Sequence, residues 1–273
     1  MSLSPDGTPC LIGLPYDASS SFLRGPAKGP AAIRDALHSP AGNLWTEGGR
    51  DLGEPGALDD RGDIFLPPTE EARALIESGI AGILADGGRP LALGGDHSVT
   101  YPILRAFHAC DPRPTIVHVD AHPDLYDAFE GDRFSHACPF ARIMDEGLAS
   151  RLIQVGIRTM NRQQRAQAER FNVEVIDMRA WNRGDRPEVL GPVYLSLDLD
   201  GLDPAFAPGV SHREPGGLST RDLIGLIQSL GGALIGADVV ELNPDEDPSG
   251  MTARVAAKLV KEIAGRMHGE RSM

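Results

Sequence analysis

Two short runs place metal-ligand side chains at alternate positions: Asp120, His122 and Asp124 in Val119-Asp120-Ala121-His122-Pro123-Asp124, and Asp198 and Asp200 in Ser196-Leu197-Asp198-Leu199-Asp200. Residues at i, i+2 and i+4 leaving a β-strand share one face, so each run can converge on one point. Four aspartates in a partly buried cleft repel and cannot all ionise unless cations compensate them. Two divalent ions would balance that charge. A single aspartate after a strand more often caps a helix or a turn. Two such runs, with a third candidate in Gly94-Gly95-Asp96-His97, point instead to a metal site.

Such a cluster needs a scaffold that brings distant strand ends together. Strand-like segments at 10–14, 90–93, 115–119, 152–155, 173–176, 193–197 and 234–239 alternate with helical stretches at 30–37, 69–86, 99–110, 137–146, 161–170, 220–230 and 252–267. Several of the strands are almost wholly apolar, the pattern of strands buried on both faces. We therefore expect a three-layer α/β/α fold with a central, mainly parallel sheet. Open parallel sheets bind ligands beyond the carboxyl ends of their strands, and every candidate ligand falls there. Ser219 and Thr220 are expected to start the sixth helix. Residues 39–68, rich in Gly, Pro and Asp, read as a long irregular excursion.

The 273 residues fit one domain, 1–273. A formal net charge of −13 argues against nucleic acid or an anionic membrane as partner, since both need a basic surface. No apolar run reaches the length of a membrane span, and the first residues do not resemble a signal segment, so a soluble cytoplasmic protein is expected. Cys10, Cys110 and Cys138 are odd in number and lack metal-type spacing, which suits a reducing compartment. Cys138 reads as a buried packing residue. His118 reads as a hydrogen-bonded core histidine beside the cluster, and His38, His108 and His268 as structural.

With Gly94-Gly95-Asp96-His97-Ser98, Asp120-Ala121-His122-Pro123-Asp124 and Ser196-Leu197-Asp198-Leu199-Asp200-Gly201-Leu202-Asp203-Pro204 in this order, the chain resembles the ureohydrolases: arginases, agmatinases and related amidinohydrolases. Gly25 to Arg34 and Asp238 to Pro244 extend the likeness over most of the sequence. The resemblance implies an arginase-like fold, a homotrimer or homohexamer, and two Mn²⁺ ions. One ion would be held by His97, Asp120, Asp124 and Asp198, the other by His122, Asp120, Asp198 and Asp200. Imidazole and carboxylate ligands without thiolate suit Mn²⁺, with Ni²⁺, Co²⁺ and Fe²⁺ as alternatives.

The implied reaction is hydrolysis of a guanidinium C–N bond, with Asp124 orienting the nucleophile derived from water, His136 as general acid and substrate contact, and Glu241 pairing with the guanidinium. Residues 130–135 lack the Ser-Gly-Asn segment of arginases, so agmatine is the expected substrate, with arginase, guanidino-acid hydrolase and formimidoylglutamase as alternatives. The loop Val210-Ser211-His212-Arg213-Glu214 departs from the family pattern, and His212 and Arg213 there would suit a carboxylate-bearing substrate. A single-zinc deacetylase relative and a catalytically silent binding subunit are the competing classes.

Overall fold

The computed structural model describes residues 7–109 and 113–270. In chain order it comprises β1 (Pro9–Leu14), α1 (Gly29–Leu37), β2 (Asp59–Asp63), α2 (Glu71–Ala85), β3 (Arg89–Gly94), α3 (Thr100–Ala106), β4 (Thr115–Val119) and α4 (Pro139–Asp145). The second half adds β5 (Arg151–Val155), α5 (Arg162–Arg170), β6 (Glu174–Ile176), α6 (Met178–Asn182), β7 (Pro192–Asp198), α7 (Thr220–Ser229), β8 (Ala233–Val240) and α8 (Met251–Met267). The strands form one sheet in the order β2-β1-β3-β8-β7-β4-β5-β6, with every pairing parallel.

Alternation along the central strands divides the core in two. Leu91, Leu93, Val117, Val119, Leu195 and Leu197 face α1, α7 and α8, while Ala92, Ile116 and Tyr194 face α2, α3 and α4. Both sets are buried, as expected of strands covered by helices on each side. The result is the three-layer α/β/α architecture that the apolar runs implied.

Two elements were invisible to hydrophobic pattern. β2 lies inside the stretch read as irregular, and its sequence, Asp-Asp-Arg-Gly-Asp, has no apolar residue because it is an exposed edge strand. The short α6 starts at the cap Asp177, whose side chain accepts from the Ala180 N–H. The predicted helix over 99–110 ends at Ala106, and Cys110 lies outside the described residues. Cys10 and Cys138 are buried, and burial pushes the Cys138 thiol up to about 12, which leaves it protonated and unreactive.

Ser219 caps α7 with a reciprocal pair: its Oγ accepts from the Asp222 N–H at 3.0 Å, and its own N–H donates to Asp222 Oδ2 at 3.0 Å. Ser219→Ala is expected to lower stability by about 1 kcal/mol, a fall in Tm of roughly 2–4 °C for a domain of this size. Thermal unfolding checks it, and an unchanged Tm would mean the cap contributes nothing.

The chain passes from β3 to β4 across two strand positions, later filled by β8 and β7. The loops after β3, β8, β7 and β4 therefore lie side by side at one end of the sheet. Crevices at such switch points are where open parallel sheets bind ligands.

Candidate metal centre

Those four loops deliver every proposed ligand. His97 follows β3, Glu241 follows β8, Asp198 ends β7 with Asp200 just beyond, and Asp120, His122 and Asp124 follow β4. Strand geometry does not place them, because β4 stops at Val119 and residues 120–124 form an irregular turn. Hydrogen bonds do. The His122 N–H donates to Asp120 Oδ1, the Ala121 N–H to Asp200 Oδ1, and the Asp200 N–H to Asp198 Oδ1. Asp124 and Glu241 adopt left-handed backbone, φ 48° and 66°, a conformation that non-glycine residues rarely hold and that gathers at functional sites. Gly95 is required for a different reason: a Cβ there would lie 1.8 Å from the Tyr16 carbonyl oxygen, so only glycine lets the 94–98 loop pack against the chain after β1.

The buried Nδ1 of His97 stands 3.2 Å from Asp120 Oδ2, 3.1 Å from Asp124 Oδ2 and 3.2 Å from Asp198 Oδ2, yet no hydrogen bond satisfies it. Three carboxylate oxygens converging on one unsatisfied nitrogen make a donor set that fits a cation better than a proton. Asp120 turns its other oxygen, Oδ1, toward His122 Nδ1 at 3.4 Å, and Asp200 Oδ2 lies 3.0 Å from the same nitrogen. Asp120, His122 and Asp200 present ligand atoms within 4.8 Å of one another. Asp120 thus faces both groups.

His118 also lies within such a grouping with His97 and Asp120. Its hydrogen bonds make it a support rather than a ligand. Gln154 Nε2 donates to His118 Nδ1 at 3.0 Å, so the ring carries its proton on Nε2 and donates it to Asp120 Oδ2 at 2.8 Å. Burial lowers the His118 pKa and keeps it neutral.

Electrostatics show the strain of four acids together. Burial, then Asp200 and Asp120, raise Asp198 well above the usual carboxylate range, and burial and Asp120 push Asp200 up to about 7. Burial opposes charge on His122, but Asp200 and Asp120 overcome it and raise the ring to about 12. Burial likewise opposes charge on His97, and three aspartates outweigh it. The site holds protons where divalent cations would displace them.

Beside the cluster, His136 and Glu241 form a buried pair. His136 Nδ1 lies 2.8 Å from Glu241 Oε1, which also accepts from the His97 N–H at 2.9 Å. Burial disfavours charge on His136, but Glu241 raises it to about 9. The other ring nitrogen, Nε2, lies 2.8 Å from Ser21 Oγ and 3.2 Å from the Ser21 N–H.

A cavity of about 190 Å³ opens over these groups. Asp124, Asp198, Asp200 and Glu241 line it with His122, His136 and His212, the segment after β5 adds Thr159, Asn161 and Gln164, and the loop after β4 brings Tyr126 beside them. His212 packs 5.3 Å from the His136 ring and 5.6 Å from Phe22 between centroids. Arg213 is brought elsewhere: its guanidinium donates to the Pro208 carbonyl and to Glu246, and it does not line the cavity. No sequence motif marks Ser21, Tyr126 or Thr159, which occupy loops, and Asn161 and Gln164, the reciprocal capping pair that starts α5, carry a helix-start signal rather than a site signal.

The switch-point crevice, the convergent carboxylates that could hold metal, and the paired histidine and glutamate point to a hydrolase site. Comparison with known proteins is more specific. The chain belongs to the arginase family, whose profile matches residues 8–265, and members of that family hydrolyse C–N bonds of amidines and guanidines. It is 46% identical to Arginase 1, mitochondrial, of Arabidopsis thaliana, over 94% of this chain and 80% of that protein. It is 34% identical to an agmatinase of Halalkalibacterium halodurans, over 93% of this chain and 90% of that protein. The solved arginase of Medicago truncatula superposes with a TM-score of 0.90 at 42% identity, covering 96% of this chain and 88% of that one.

The expectation of a cytoplasmic location is corrected by these relatives, since the Arabidopsis arginase is named as mitochondrial. Composition and cysteine count describe the folded domain, whereas compartment is read from separate address segments. No helix among the described residues is long and apolar enough to cross a membrane.

Proposed function

We propose that this chain is an arginase, hydrolysing the guanidinium of L-arginine to urea and ornithine at a pair of Mn²⁺ ions. One ion is assigned to His97, Asp120, Asp124 and Asp198, and the other to His122, Asp120, Asp198 and Asp200. When bound, two such ions lower the pKa of water toward ~7 and polarise the group under attack.

The chain's own residues do the rest. Asp124 lies where it can accept a hydrogen bond from the attacking water. Glu241 Oε1 is taken by His136 and His97, which leaves Oε2 for the N–H groups of the guanidinium. Water adds to the guanidinium carbon and gives one proton to Asp124, and His136 gives its Nε2 proton to the side-chain nitrogen as the C–N bond breaks and the electron pair stays on that nitrogen. The protons then held on Asp124 and on the urea oxygen recharge His136 and turn the released amine into an ammonium. Ser21 serves both states of the ring, because Oγ accepts from the charged form and the backbone N–H donates to the neutral one.

The observation that favours arginine is the neutral wall of the cavity. Agmatine ends in a lone ammonium, which wants a carboxylate partner. Among the described residues lining the cavity, every carboxylate belongs to the cluster or to Glu241, and Tyr126, Thr159, Asn161 and Gln164 are neutral donors and acceptors. A zwitterionic α-amino acid end is better matched by such groups than a bare cation. The greater identity to arginases than to agmatinase supports the same choice, and the agmatine preference read from the sequence gives way. His212, whose pKa burial and the charge on His136 lower, offers a donor to the carboxylate end, and Arg213, held by Glu246, takes no part in binding.

Urea release by Mn²⁺-loaded protein should favour arginine over agmatine in kcat/KM by about 100-fold or more. Guanidinobutyrate, guanidinopropionate and formimidoylglutamate complete the panel. Preference for agmatine would overturn the reading of the neutral wall. A protein that binds Mn²⁺ but turns over none of them would be a silent binding subunit.

A further inference from the structure

Beneath the cluster lies a buried polar chain that the reaction does not use. Asp238, on β8, is fully buried, and its neighbour in register on β7 is Ser196. Three hydroxyls donate to the Asp238 carboxylate: Ser196 Oγ to Oδ1 at 2.8 Å, and Tyr194 Oη and Thr100 Oγ1 to Oδ2 at 2.7 and 3.0 Å. Gly236 makes room for the Tyr194 ring, because a Cβ there would lie 3.0 Å from two of its ring atoms. Ser196 Oγ also lies 3.0 Å from His97 Nε2.

The direction of these bonds is determined. An ionised carboxylate only accepts, so the single Ser196 proton goes to Asp238. Ser196 Oγ can then only accept from His97, which places the proton on Nε2 and leaves the Nδ1 lone pair facing Asp120, Asp124 and Asp198. A ring with the opposite tautomer would present an N–H to the ion.

We infer that Asp238, acting through Ser196, is a positioning residue that fixes the tautomer and orientation of His97 for the ion at the His97 side of the centre. The inference rests on the two-ion reading above and adds residues that never touch substrate or metal. Asparagine at 238 would reverse the chain. Its amide could donate to Ser196 Oγ, turning the serine proton onto His97 Nε2 and forcing the Nδ1–H form. A histidine bound to metal depends on its outer partner to the extent of about 10–100-fold in affinity.

The test is Mn²⁺ binding to the metal-stripped full-length protein, followed by titration against a competing chelator, with no turnover in the readout. Two sites are expected in the wild type. Asp238→Asn and Ser196→Ala should each weaken one of the two by about 10–100-fold and leave the other unchanged. Tyr194→Phe, which removes a different donor to Asp238, should leave both near wild type. His97→Ala should weaken the same site, and adding Asp238→Asn to it should cause no further loss, because both act through one ring. Circular dichroism and metal-free Tm identify any variant that fails to fold, and Ser196→Ala, the smaller change, then decides. Equal weakening of both sites, no weakening, or full additivity with His97→Ala would overturn the inference while leaving the two-ion reading intact. A wild type that binds fewer than two Mn²⁺ would defeat the two-ion reading itself.

Discussion

Stripping divalent cations with a chelator is expected to abolish urea release and to make the protein's stability fall as pH rises. Without cations the centre is neutralised by protons: Asp200 is pushed up to about 7, Asp198 lies well above its usual range, His122 is raised to about 12, and His97 is raised as well. All four folded-state values exceed the unfolded ones, so the folded state binds more protons. Stability from the two aspartates is present below about pH 4 and is lost as pH climbs through their raised values. That from the two histidines is present below about 6.5 and is lost above it. Asp120 runs the other way, held well below its usual range by His118 and its neighbours against burial, but it titrates in strong acid and does not alter the trend between pH 5 and 9. Cation binding must expel the protons, so the gain in Tm on adding Mn²⁺ should grow with pH. Thermal unfolding at pH 5, 7 and 9 with and without Mn²⁺ measures it, and a Tm gain independent of pH would mean the acids are compensated by something other than metal. Asp124→Asn, which removes one of the three oxygens around His97 Nδ1, should lower kcat by at least about 100-fold with the fold intact.

How much of this was legible beforehand depends on where the information sits in the chain. The parallel sheet was written in largely apolar runs such as residues 90–93, because a strand buried on both faces carries few polar residues. β2 escaped because an exposed edge strand has nothing to bury. The candidate ligands were marked by residue type and order, but strand geometry is not what gathers them. Asp120, His122 and Asp124 do not share a strand face; an irregular turn with a left-handed Asp124, cross-tied to Asp200 through the Ala121 N–H, brings them together. Alternate spacing picked out residues that the fold does gather, for a reason the backbone does not use. Arg213 and His212 are adjacent in sequence, but the isolated pairing of Val210 with Leu242 sets the loop so that one ring faces the cavity and the guanidinium turns to Glu246. Ser21 and the neutral wall contribute single polar residues from separate loops, and no local pattern marks a lone serine or threonine as part of a site until the fold assembles it.

His136→Ala is expected to lower kcat by about 10²–10⁴-fold, the usual contribution of a positioned proton donor, with both Mn²⁺ ions still bound. The separation is possible because His136 contacts Glu241 and Ser21 but none of the six proposed ligands within hydrogen-bonding distance. Its pH signature distinguishes the role from simple packing. Burial opposes the charge and Glu241 restores it, raising the ring to about 9, so at neutral pH it carries the proton that the leaving nitrogen requires. In the proposed role the protonated form is the active one, and the rate should fall as pH rises through a value no higher than about 9, because bound cations and the substrate guanidinium beside Glu241 would both push the ring down. That displacement should be visible as an alkaline limb lying lower in kcat, which reports the substrate complex, than in kcat/KM, which reports the free enzyme. In His136→Ala the limb should vanish from both. Glu241 is the pair's other half, and its pKa is held low against burial by His136, so loss of the histidine also removes the partner that keeps this carboxylate ionised for the substrate. KM should therefore rise together with the fall in kcat. A variant with reduced kcat, unchanged KM and an intact alkaline limb would show that the essential acid is another group, and His212, whose ring lies tilted 5.3 Å from that of His136 in the same cavity, is the next residue to test.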